Sequence, residues 1–168
     1  MAHDAHSDKH QAHLSLIDRL KMNGRDIARL CAKAEETDLS KPSPEGRWSL
    51  KELVCHLWRC QQVFAGRIEA MLTSVNPEVV RYDPDNDTEF AVLTAQPATE
   101  ALAGFQRERE ALLAKLGALS PEQWHRPGGH PEYSHYDVHF QVEYMLHHEG
   151  HHLYQMYQRR AAMGKIPH

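Results

Sequence analysis

No apolar run in this 168-residue chain approaches the ~20 residues that a membrane-spanning helix requires. The first ten residues, MAHDAHSDKH, also lack the basic and then apolar layout of a secretory signal, so the expected setting is the cytoplasm. An excess of positive charge is missing too. The 19 Lys and Arg against 23 Asp and Glu give a formal charge of −4, which argues against binding to nucleic acid through its phosphate backbone. Cysteine is scarce: Cys31, Cys55 and Cys60 form an odd set without repeated spacing and read as reduced thiols, not as a disulfide framework. No long segment alternates apolar and polar residues as a half-buried strand does.

What is present is a globular composition, 41% hydrophobic and 25% charged, in a chain long enough for one domain over residues 1–168. Residues 1–8 are expected to form a flexible N-terminal segment. Apolar positions recur at spacings of three and four in four segments, which predicts helices over about 9–35, 49–73, 98–118 and from Ser134 or Asp137 to Gly164. Ser49 and Glu52 form an S-x-x-E capping box at the start of the second. A proline-containing stretch of about 74–97 is too long for a tight turn and can cross over the bundle. The fold class read from this is all-α, a four-helix bundle with a long connection between its second and third helices, an architecture that builds metal sites from facing helices.

Histidine is the unusual component, with 14 residues, eight of them between His125 and His152. Taking Val138 as zero and about 100° per residue, Val142, Met145, Leu153 and Met156 define the buried arc of the last helix. His148 and His152 fall at its margin, near about −80° and −40°, whereas His147 and His151 face away. Two histidines four residues apart share a helical face, and their imidazoles suit one ion at ~2.0–2.1 Å. On the second helix His56 and Cys60 fall at about −120° and −80°, again at the margin of the buried stripe. His56 supplies the third ligand of a catalytic zinc-type site, in which the remaining position is left for water.

Glu149 falls at about 20°, in the middle of the apolar arc, where an unpaired carboxylate costs several kcal/mol, so it needs a cation or a donor. It is the candidate catalytic residue, orienting a ligand or shuttling a proton. Tyr144 and Gln155, at about −120° and −100°, are placed to line the open side of the site. Cys55 and Cys60 read first as small core residues. Cys60, beside His56, is also a candidate substrate-binding residue.

His148-Glu149-Gly150-His151-His152 satisfies H-E-x-x-H, the signature in which two histidines hold zinc and a glutamate activates water. Only sixteen residues follow His152, which leaves little room for a protease architecture. A di-iron bundle needs an E-x-x-H on each of two long helices and fits poorly.

Trp48-Ser49-Leu50-Lys51-Glu52-Leu53-Val54-Cys55-His56-Leu57 resembles the W-S-x-x-E-x-x-x-H-L element of the DinB-like (YfiT-like, DinB_2-type) metalloenzyme family. The run from His148 to Met156 resembles that family's H-D/E-x-x-H-L-x-Q-I element. Trp124-His125-Arg126-Pro127 and Arg107-Glu108-Arg109 stand where larger members carry W-x-R and R-E-R-like segments. The resemblance implies a four-helix bundle holding one divalent metal ion, commonly zinc or nickel, through the residues matching His56, His148 and His152. It also implies frequent homodimers and, in some members, a low-molecular-weight thiol cosubstrate such as bacillithiol or mycothiol. Some thiol-transferase members read H-R-G-Q after the last ligand, where this chain reads His152-Leu153-Tyr154-Gln155.

The expected function is that of a metal-dependent enzyme, transferase or hydrolase, that activates water or such a thiol toward a small-molecule substrate. The alternatives are a non-catalytic, stress-associated metal-binding protein and an H-E-x-x-H-type hydrolase.

Overall fold

The structure is a computed structural model that describes the backbone from residue 2 and the side chains from residue 11. Of the N-terminal segment 1–8 noted above, residue 1 lies outside the described residues and the backbone of residues 2–8 belongs to the first helix. In chain order the elements are α1 (Ala2–Cys31), α2 (Glu36–Leu39), α3 (Leu50–Thr73), a 3-10 turn (Pro84–Asn86), α4 (Thr88–Thr94), α5 (Ala98–Gly117), α6 (Pro121–Trp124) and α7 (Val138–Ala162). The fold is an all-α four-helix bundle of α1, α3, α5 and α7. Among the described residues there is no strand, and two isolated bridges, Glu78 with Gly129 and Pro127 with Asp137, tie connecting segments together.

Local chemistry sets the helix ends. Ser49 Oγ accepts from the Glu52 N–H at 3.1 Å, and the Ser49 N–H donates to the Glu52 carboxylate at 2.8 Å, closing the capping box that starts α3. Asp137 caps α7 by accepting from the Phe140 N–H at 2.8 Å. α1 stops earlier than the apolar periodicity predicts, because Lys33 takes a positive φ of 55° and breaks the ladder. The connection between α3 and α5 is also more ordered than its prolines suggest. Asp87 caps α4, and its carboxylate accepts from Arg59 at 2.6 Å and from the Tyr82 hydroxyl at 2.9 Å.

α1 packs against α5 and α7, and α3 packs against the same two, so α1 and α3 lie diagonally opposite, as do α5 and α7. Consecutive long helices are therefore not always neighbours. α3 and α5 approach closely where Gly104 lets the Trp58 indole lie against the backbone; a Cβ there would collide with the ring.

The core is divided in two. One apolar cluster contains Leu16, Leu20, Phe64, Ile68, Leu116, Val142 and Met145, and the other contains Ile27, Leu53, Leu57, Trp58, Phe105 and Met156. Between them runs a polar layer in which Arg109 donates to both Glu149 oxygens, to the Leu20 carbonyl at 2.8 Å and to Gln61, while Asn23 donates to Glu149 at 3.0 Å. Arg109 and Glu149 are each 3% exposed. Two desolvated charges are tolerable only when each satisfies the other, as these do. No helix of the described residues is long and apolar enough to cross a membrane.

Candidate metal centre

α3 and α7 are neighbours, and each brings two polar side chains, one helical turn apart, to the shared face. From α3 come His56 and Cys60; from α7 come His148 and His152. Burial along α7 follows the helical angle, with His152 buried, His148 half-buried, and His147 and His151 exposed. The ring centroids lie 5.3 Å apart for His56 and His148, and 4.6 Å apart for His152 with each of the other two. His56 Nε2 and His148 Nε2 are 3.4 Å apart.

The tightest donor group differs from the three-histidine set. Among the described residues, the His, Cys, Asp and Glu ligand atoms that all lie within 4.8 Å of one another belong to His56, Cys60 and His148. Cys60 Sγ is 3.5 Å from His56 Nε2 and 4.0 Å from His148 Nε2. His152 is not in that group, although its ring adjoins both other imidazoles. Cys60 is thus not simply a core residue: it is packed among the imidazoles.

Electrostatics separate the two donor types. Burial, then the neighbouring His152 and His148, holds His56 well below the usual imidazole range, at about 3. Burial and the adjacent His152 and His151 lower His148 to about 4. His152 is lowered too, mainly by burial. All three are therefore neutral at pH 7, the form that ligates. Burial pushes the Cys60 thiol up to about 12, so without an ion it stays protonated and is a poor ligand.

The partners of the rings also differ. His152 Nδ1 lies 2.8 Å from Gln155 Oε1. An amide oxygen only accepts, so the ring proton is on Nδ1 and the Nε2 lone pair is presented for ligation, as in histidines oriented by an outer hydrogen bond. His148 Nδ1 is buried and has no hydrogen-bond partner among the described residues. Trp48 packs on His56 at 4.6 Å, and Tyr144 stacks on His148 at 6.2 Å with the rings 12° from parallel.

These imidazoles form one wall of a cavity of ≈ 360 Å³. Trp48, Cys60, Phe64 and Tyr144 continue that wall. Tyr82, Arg81 and Pro84 close it from the α3–α5 connection, and His130, Glu132 and Tyr133 from the segment before α7.

Two expected site residues are placed elsewhere. Glu149 does not line the cavity: its carboxylate turns into the polar layer and pairs with Arg109, the cation its position in the apolar arc demanded. Gln155 does not line it either, being held between His152 and His151.

Arg67, His130 and Tyr133 are cavity residues that the sequence reading missed. Arg67 carried a usable signal, since 56, 60, 64 and 67 step along one face of α3. His130 and Tyr133 precede α7, where no periodicity fixes their direction.

The donor chemistry fits a borderline divalent ion, with neutral nitrogen donors whose Nε2 atoms converge and a nearby sulfur. Comparison with known proteins agrees on the fold. The chain has a TM-score of 0.79 to YfiT from Bacillus subtilis, described as a probable metal-dependent hydrolase with an unusual four-helix bundle topology. That match is at 20% identity and covers 90% of this chain and 87% of the other. It is also 28% identical over 128 residues to the uncharacterized protein YuaE of Bacillus subtilis (strain 168), covering 69% of this chain and 78% of the relative. Residues 19–156 match the model of the DinB superfamily, and the chain belongs to that superfamily.

Proposed function

We propose that this protein is a divalent-metal-dependent enzyme of hydrolytic type, acting on a small molecule taken into the cavity beside His56, His148 and His152. The observation that carries this is the convergence of three neutral imidazoles, from two adjacent helices, on the wall of one cavity of ≈ 360 Å³. The hydrolytic reading is supported by the structural likeness to YfiT, described as a probable metal-dependent hydrolase.

His56, His148 and His152 would hold the ion. His152 is preferred over Cys60 as the third ligand because Gln155 already orients its ring, whereas the Cys60 thiol has to lose a proton that burial retains. A divalent ion here would lower the pKa of a bound water toward neutrality and so supply a nucleophile. Gln155 fixes the His152 tautomer. Tyr144 stacks on His148 and limits its rotation. Glu149 is a positioning residue, because through Arg109 it locks α7 against α5 and α1 and so sets the height of His148 and His152.

The test is elemental analysis of the purified protein, followed by parallel screens of hydrolysable esters and amides and of thiol conjugation, each with and without chelator. We expect one ion of zinc, nickel or a similar metal per chain, and a hydrolytic activity that chelator abolishes. Turnover only in the thiol screen would replace water by a thiol as nucleophile. Protein that takes up no stoichiometric metal would sink the reading altogether.

A further inference from the structure

The cavity lining also carries three charged side chains, Arg67, Arg81 and Glu132. Arg81 and Glu132 lie 3.6 Å apart and offset each other. Arg67 is different, since no carboxylate among the described residues forms an ion pair with it. Its guanidinium donates to the Val80 carbonyl at 2.6 Å and lies over the Phe64 ring, 5.4 Å from the centroid. Phe64 in turn meets His148 edge-on at 5.7 Å. A stacked, tethered arginine keeps its fork in one orientation better than a freely solvated one does.

The neighbouring polar group is also a donor. His130 Nδ1 accepts the Glu132 backbone N–H at 3.1 Å, so its ring proton is on Nε2. Beyond its ligand wall the cavity therefore offers an uncompensated guanidinium and an imidazole N–H, while Glu132, the one carboxylate among its described lining residues, is already paired.

We infer that the substrate is a small organic anion whose carboxylate or other acidic group is held by Arg67, with His130 as a second donor, while its reacting atom sits at the imidazole wall. This rests on the metal-site reading above. The Arg67 guanidinium lies 5.4 Å from the Phe64 ring, which is itself 5.7 Å from the His148 ring, so the width of one aromatic ring separates it from the imidazole wall. The acidic group is accordingly several bonds removed from the reacting atom, and a bare inorganic anion does not span the two ends.

The probe is a matched pair of alkyl hydroxamates, one ending in a carboxylate and the other in its methyl ester, titrated calorimetrically into zinc-loaded protein. The hydroxamate end engages the ion in both, so only the far end differs. We expect the acid to bind about tenfold or more tightly than the ester, the range of one charge-assisted hydrogen bond. Arg67→Gln should reduce that ratio to near one, and Arg67→Lys, which keeps the charge but not the fork, should retain part of it. Equal binding of acid and ester to the wild type, or a preference that survives Arg67→Gln, overturns the inference and leaves the metal site standing. Failure of both hydroxamates to bind zinc-loaded protein overturns the metal-site reading itself, and this inference with it.

Discussion

α7 passes through two histidine-rich neighbourhoods that share a composition but not an arrangement. Near its start, His13 stacks on Trp124 at 4.3 Å with the rings 4° from parallel, and His139 lies 5.3 Å from His13. There His125 and His135 both approach Asp137, at 3.3 and 3.5 Å, and Asp137 is also the cap of the helix. Three turns further on, His148 and His152 adjoin His56 on one wall of a cavity. Among the described residues, three donor atoms within 4.8 Å of one another occur at the second neighbourhood and not at the first. In the first the imidazoles pack on aromatic rings and lean on a capping carboxylate, whereas in the second they face one another. Histidine density alone therefore does not single out a candidate metal site; donor atoms converging beside open space do.

The sharpest way to break this contrast is metal stoichiometry. His148→Ala should abolish stoichiometric zinc uptake with far-UV helicity preserved, and His139→Ala should leave one ion per chain; the reverse pattern would move the site to the other end of α7.

Next in size is the layer that carries the second neighbourhood. Glu149→Ala strands the Arg109 guanidinium in the core and should cost about 3–5 kcal/mol in urea unfolding, the range for breaking a buried pair. A loss below about 1 kcal/mol, the value of an exposed pair, would mean that the layer admits water.

Gln155→Ala should weaken zinc affinity by about 10–100-fold, as loss of an outer partner of a ligating histidine does, with the unfolding midpoint of the metal-free protein little changed. An unaltered affinity would favour Cys60 over His152 as third ligand.

The smallest effect concerns acid. In metal-free protein the imidazoles of His56 and His148, held at about 3 and about 4, bind fewer protons between about pH 4 and 6.5 than they do in the unfolded chain. Stability should therefore be complete above about pH 6.5 and decline as pH falls toward 4. In His148→Gln the decline should be shallower, and an identical slope in both proteins would place the titrating groups elsewhere.

Much of the bundle could be read from the residues alone, for identifiable reasons. Ser49 and Glu52 announced the start of α3 because a capping box satisfies backbone groups that any helix start leaves open. The angle of Glu149 within the apolar arc showed that it is buried and needs a partner. Angles on one helix, however, say nothing about which neighbour supplies that partner, so the pairing with Arg109 and the loss of a direct role at the cavity became visible only with the packing of α5. The same limit hides Gln155, whose angle points to the open side although its amide is held by two histidines. α4 was missed because seven residues flanked by turns are too few to show a period. Cys60 shows the converse case, since its burial was legible but its place among the imidazoles needed α7 beside α3.

The two segments that face the imidazole wall are joined to each other as well as to the bundle. The Val79 N–H donates to the Gly129 carbonyl and the Gly129 N–H to the Pro77 carbonyl, each at 2.9 Å. This visor hangs on backbone bonds, while the converging imidazoles belong to long helices. Substitutions in the visor would consequently reshape the outer lining of the cavity without moving the imidazoles beneath it.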